Sequence, residues 1–165
     1  MSSLAAFDPL RILKTLDSHH VRFVIIGGIA GRLWGSTTVT NDLDICYARD
    51  KANLEALATV LQELKVKLRG ADRDLPFVAD ARTIDMGDHF TFTTSAGNLD
   101  CLGTPAGSGG YEALARTATR MDVGGVDVLV ASLDDLILMK RAARRPKDLV
   151  EVEILAALRE EIDRG

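Results

Sequence analysis

Val24-Ile25-Ile26-Gly27-Gly28-Ile29-Ala30 is followed shortly by Thr40-Asn41-Asp42-Leu43-Asp44-Ile45. The first stretch is a β-branched apolar run that stops at two glycines, the pattern of a buried strand entering a tight turn. In the second, Leu43 and Ile45 alternate with Asp42, Asp44 and Cys46, the period of a strand with unlike faces. Asp42 and Asp44 then project from one face, ~6–7 Å apart along the backbone. Carboxylates that close repel unless water or a cation lies between them. Taken alone, the pair also suits a half-exposed edge strand, and Gly27-Gly28 alone suits a plain turn.

A third acid changes the balance. Asp100 lies in Asn98-Leu99-Asp100-Cys101-Leu102, flanked by apolar residues in a strand-like run. If that strand neighbours the Asp42/Asp44 strand, three carboxylates meet, and hard divalent cations such as Mg²⁺ take such oxygen ligands. Gly27 and Gly28 allow close backbone approach to a ligand, and a helix beginning there offers free N–H groups to phosphate. A phosphate cradle beside a carboxylate-held metal is the equipment of phosphoryl or nucleotidyl transfer.

Around these segments the pattern predicts a helix opened by Asp8-Pro9 and carrying Leu10, Leu13 and Leu16 to about His19-His20. A short helix is expected from Ile29 to about Trp34. Asp50 reads as the cap of a helix with Leu54, Leu57, Leu61 and Leu64 on one face. Residues 66–87 give mixed signals of strand, loop and short helix. Phe90 to Leu102 reads as a hairpin turning at Ser95-Ala96-Gly97, and 121–128 as another turning at Gly124-Gly125. A helix is expected over 111–119. Ser132-Leu133-Asp134-Asp135 has the form of a capping box, and Arg144-Arg145-Pro146 separates its helix from a last one running to about Glu161. The expected fold class is α+β with α/β character: a mixed sheet flanked by helices, with the C-terminal helices packed on it. One domain over 1–165 is expected, with a core of about 21–130 and closing helices of about 132–161.

The chain has 165 residues, 47% hydrophobic and 27% charged, enough for one core without staples. No apolar run reaches the ~20 residues of a membrane span, and the N-terminal residues lack a signal-peptide layout, so the cytoplasm is the expected location. A net charge of −4 argues against coating nucleic acid by bulk electrostatics, although Arg144, Arg145 and Lys147 form a small basic cluster. Cys46 and Cys101 sit in apolar runs and read as reduced core thiols. Trp34 reads as core, and His89 as a residue of a polar turn without a chemical part.

Gly27-Gly28, the loop 35–40, Asp42-Leu43-Asp44 and Asp100 together resemble the signature of the DNA polymerase β-like nucleotidyltransferase superfamily. Ser132-Leu133-Asp134-Asp135-Leu136, Lys140 and Arg145-Pro146-Lys147-Asp148 are similar to the closing helices of its minimal, AbiEii-toxin-like branch. The resemblance implies a nucleotidyltransferase fold and the transfer of a nucleoside monophosphate from an NTP, ATP among them, to an acceptor hydroxyl. It implies Asp42, Asp44 and Asp100 as ligands of Mg²⁺, or of Mn²⁺ in its place, with Asp100 helping to activate the acceptor. Gly27, Gly28 and Thr40 would lie at the nucleotide, Lys140 would neutralise phosphate, and Lys147 and Asp148 would support it. The implied acceptors are tRNA, a protein or a small molecule, and the implied setting is a toxin–antitoxin system with a cognate toxin or antitoxin. One position departs from the pattern: relatives commonly carry arginine four residues before the first acid, where this chain has Thr38. A degenerate nucleotidyltransferase fold that binds a partner without turnover is the alternative.

Overall fold

Asp8 accepts a hydrogen bond from the Arg11 backbone N–H at 3.1 Å and Pro9 follows it, so helix α1 (Pro9–Ser18) starts where the sequence places it. The computed structural model describes residues 6–70 and 77–165. Strand β1 (Phe23–Ile26) is buried at all four positions and runs straight into helix α2 (Gly27–Trp34). This helix begins two residues before the expected Ile29, because the chain turns at Gly27 itself, at φ +70°. Strand β2 (Asp42–Tyr47) leads to helix α3 (Lys51–Glu63), capped by Asp50 through the Asn53 N–H at 3.2 Å.

In the segment of mixed signals lie the short strand β3 (Lys67–Leu68) and helix α4 (Ala81–Met86); Pro76 falls outside the described residues. Strands β4 (His89–Thr94) and β5 (Gly97–Leu102) form the first expected hairpin. Helix α5 (Tyr111–Thr117) ends before the expected residue 119, since Thr119 already pairs as the first residue of β6 (Thr119–Val123). Strand β7 (Val126–Val130) completes the second hairpin. Helices α6 (Leu133–Ala143) and α7 (Pro146–Arg164) close the chain, the last running three residues beyond the expected end. Ser132 caps α6 through the Asp135 N–H at 3.1 Å, but the Asp135 carboxylate accepts from the Thr117 hydroxyl rather than completing the box.

The seven strands form one mixed sheet in the order β3-β4-β5-β2-β1-β7-β6. Strand β2 pairs antiparallel with β1 and parallel with β5, while β1 pairs parallel with β7. Register partners share a face, so the pairings Leu43↔Leu99 and Ile45↔Cys101 place four buried side chains together in the core. Phe90 and Phe92 continue that face, with Phe77 tilted against both rings at 6.1 and 5.3 Å between centroids. The opposite face of the same strands carries Asp42, Asp44, Asn98, Asp100 and Thr91. Cys46 and Cys101 are free, buried thiols, as the sequence suggests.

Candidate active site

Parallel pairing of β2 with β5 sets Asp44 directly opposite Asp100 and Asp42 opposite Asn98. Alternation does the rest: the core takes Leu43, Ile45, Leu99 and Cys101, and the acids are turned to the other face. Burial, followed by the neighbouring Asp100 and Asp42 carboxylates, pushes the Asp44 pKa from the ordinary 3.8 up to about 7, with Lys140 opposing. Asp44 Oδ1 is buried and has no hydrogen-bond partner.

Strand β1 delivers the glycines to the same place, since Ile26 pairs with Asp44 and Gly27 follows at once. A Cβ built on Gly27 would lie 2.0 Å from Asp44 Oδ2, so carboxylate and backbone occupy one tight corner. No side chain caps α2, which leaves its first-turn N–H groups free for an anion. Thr40, half-buried, packs on Gly28, where a Cβ would stand 2.9 Å from its hydroxyl oxygen.

Gly27, Asp44 and Asp100 open into a cavity of about 370 Å³ whose other walls come from β4, the loop after β5, and α6. Leu102, Pro105, Ala106, Leu136 and Met139 make an apolar side, and Lys140 and Arg145 a cationic one. Lys140 Nζ donates to Asp148 Oδ1 at 3.3 Å, and Arg145 Nε donates to Asp148 Oδ2 at 2.7 Å. Asp148 is fully buried; burial alone would raise its pKa, but these hydrogen bonds hold it below the usual carboxylate range. It therefore fixes the two cations from behind instead of facing a ligand. Lys147 is exposed and outside the cavity lining, whereas Arg145 lines the cavity and pairs with Asp148.

The three acids do not converge on one point. Among the described residues, no three His, Cys, Asp or Glu side chains form a metal-holding group. Arg69 lies between them: it forms an ion pair with Asp100, and its Nη1 stands 3.7 Å from Asp42 Oδ1. Asp42 also accepts a hydrogen bond from Asn98 at 3.1 Å and does not line the cavity. The donor set still suits a hard divalent cation, because Asp44 Oδ1 is an unpartnered buried acceptor beside a second carboxylate.

Four residues at the site escape the sequence reading. Arg69 falls in the stretch of mixed signals, and no local pattern shows that it reaches across β4. His89 is the first residue of β4 and lines the cavity, rather than standing in a turn; its pairing with Leu102, two residues past Asp100, follows once the hairpin register is known. Asn98 carries no signal except its place two residues before Asp100. Glu151 is 5% exposed and accepts from the Ser36 hydroxyl at 3.0 Å and from the Thr38 hydroxyl, tying α7 to the loop before β2. Trp34 is partly buried against the core, its Nε1 donating to the Ala131 carbonyl at 2.9 Å.

The overall fold recurs in solved structures. The lincosamide antibiotic adenylyltransferase LnuA, in its lincomycin-bound form, superposes with a TM-score of 0.61 over 91% of this chain and 95% of its own, at 12% identity. This chain has the nucleotidyltransferase fold. ANT(2'')-Ia in complex with adenylyl-2''-tobramycin matches that fold over 93% of this chain and 96% of its own, with a TM-score of 0.54 and 19% identity. A Thermotoga maritima protein assigned as a nucleotidyltransferase covers 98% of both chains with a TM-score of 0.52 and 15% identity. No family model and no curated protein sequence matches the chain. At these identities the nucleotidyltransferase fold is what is shared, and no branch within it is shown.

Proposed function

We propose that the protein is a divalent-metal-dependent nucleotidyltransferase, transferring a nucleoside monophosphate from an NTP to an acceptor hydroxyl. The observation that carries this reading is the Asp44–Asp100 pair on adjacent parallel strands, set against Gly27 and the uncapped start of α2. Asp44 and Asp100 would hold Mg²⁺, or Mn²⁺, with Asp42 beside them. The ion supplies charge neutralisation for the triphosphate and polarises the reacting phosphoryl group. The amides of Gly27 and Gly28 would bind the β- and γ-phosphates, and Thr40 keeps that backbone in place. Lys140 and Arg145, held by Asp148, face the departing pyrophosphate and offset its charge. Leu102, Pro105 and Met139 offer apolar surface for the nucleoside. The acceptor oxygen bonds to the α-phosphorus as the bond to the β-phosphate oxygen breaks, and Asp100 takes the acceptor's proton.

LnuA binds lincomycin and ANT(2'')-Ia carries adenylyl-2''-tobramycin, so a small hydroxylated molecule is one acceptor class for this fold. A tRNA or protein acceptor, and a place in a toxin–antitoxin pair, rest on the motif resemblance. No helix among the described residues is long and apolar enough to cross a membrane; a cytoplasmic, one-domain enzyme is part of the proposal. A second reading, partner binding without turnover, draws on Arg69 among the acids and on Thr38.

Incubation of the protein with each α-labelled NTP and Mg²⁺ against total tRNA, cell lysate protein and hydroxylated antibiotics tests this reading. Label on one acceptor class, lost with γ-labelled NTP, is expected. Absence of transfer to every acceptor with all four NTPs favours the second reading.

A further inference from the structure

Arg69 follows β3 directly, and its backbone N–H donates to the Thr91 carbonyl at 2.9 Å. Thr91 pairs with Asp100, and Asp100 with Asp44, so Arg69 heads a row of four residues across four adjacent chain segments. From there its side chain crosses β4 and places its guanidinium on Asp100, 3.7 Å from Asp42 Oδ1. It leaves Asp44 Oδ1 bare. The side chain is 28% exposed, and Nη1 also donates to the Phe92 carbonyl at 3.4 Å, a bond that is given up when the guanidinium turns to water.

We propose that Arg69 is a built-in counter-ion of the carboxylate row, which a divalent cation must displace from Asp100 in order to bind. The inference rests on the metal-dependent reading above. A guanidinium and a divalent ion compete for the charge of one carboxylate, and two cations ~4 Å apart repel strongly in a partly dry site. Arg69 thus offsets the charge of Asp100 and Asp42 before metal arrives, leaving Asp44 uncompensated, and sets the metal concentration at which the site fills. A phosphate-bearing nucleotide gives the released guanidinium an alternative partner, which couples metal loading to nucleotide arrival.

Mn²⁺ titration of the nucleotide-free protein, followed by electron paramagnetic resonance, tests this with Arg69→Gln, Arg69→Lys and Asp44→Asn variants. Arg69→Gln should bind Mn²⁺ about tenfold or more tightly than the wild type, and Arg69→Lys should fall between them. In wild-type protein labelled with ¹⁵N-arginine, Mg²⁺ should release one guanidinium from restrained to free rotation, a readout that does not depend on the variants folding. Equal or weaker Mn²⁺ binding by Arg69→Gln, or an arginine spectrum unmoved by saturating Mg²⁺, overturns the displacement. Mn²⁺ binding unchanged by Asp44→Asn, or absent from every protein with ATP present, overturns the metal reading itself.

Discussion

Asp44 and Asp100 stand directly opposite each other on parallel neighbours β2 and β5, with Gly27 closing the corner beside Asp44. Such a pair is costly in the absence of a cation, and that cost separates activity from stability. Asp44→Asn should lower nucleotidyl transfer by about 100-fold or more, because a proposed metal ligand is lost. The same substitution removes a buried like charge and should stabilise the metal-free protein by on the order of 1 kcal/mol, a rise in Tm of about 2–4 °C. Thermal melts in chelator, run beside the transfer assay, read both signs.

The raised Asp44 pKa dictates the pH dependence. In the unfolded chain this carboxyl titrates near 3.8, and in the folded one near 7, so the folded state binds the extra proton between those values. Stability without metal should therefore be greatest near or below pH 4 as far as this group is concerned. It should fall as pH rises to about 7, then level off. Metal affinity should run the other way, rising as the proton leaves. Melts of wild type and Asp44→Asn from pH 5 to 8 check the sign: the variant's curve should lack this component.

Gly27→Ala should be severe and Gly28→Ala less so. An alanine at 27 faces both a left-handed φ of +70° and a methyl group 2.0 Å from Asp44 Oδ2. Loss of roughly 2–4 kcal/mol of stability and of nearly all transfer is expected. At 28 the φ is ordinary, but an added methyl would stand 2.9 Å from both the Cβ and the hydroxyl oxygen of Thr40, so the loop backbone has to give. Denaturant unfolding of the two variants provides the comparison.

Glu151 reaches the site through the loop before β2. Glu151→Ala strands the Ser36 and Thr38 hydroxyls and should cost about 1–3 kcal/mol. It should also raise the KM for nucleotide, since the loop leads to Thr40 and Asp42. Glu151→Gln keeps one acceptor and should recover part of both effects. An unchanged KM in Glu151→Ala would separate this contact from the site.

Much of this was legible locally. Alternation around Asp42-Leu43-Asp44-Ile45 fixes which face the acids take, and Gly124-Gly125 and Ser95-Ala96-Gly97 mark their hairpins, because these signals lie within a few residues. The notion that Asp100 joins Asp44 needed a parallel pairing across more than fifty residues of chain, which the third acid only suggested. Arg69, His89 and Asn98 were not legible, because their places depend on the register of β3, β4 and β5 against β2, set by the packing of Phe90, Phe92 and Leu99 beneath. Thr38, a departure from the motif when read in sequence, gains a structural occupation in its bond to Glu151.

Calorimetric titration of each NTP, as a non-hydrolysable analogue, into wild type and Asp44→Asn, with Mg²⁺ and with chelator, bears most directly on the proposed site. Binding of at least one NTP by the wild type with Mg²⁺, weakened at least tenfold by chelator and by Asp44→Asn alike, is the expected result. Nucleotide binding of equal strength in chelator, or undiminished in Asp44→Asn, would contradict it.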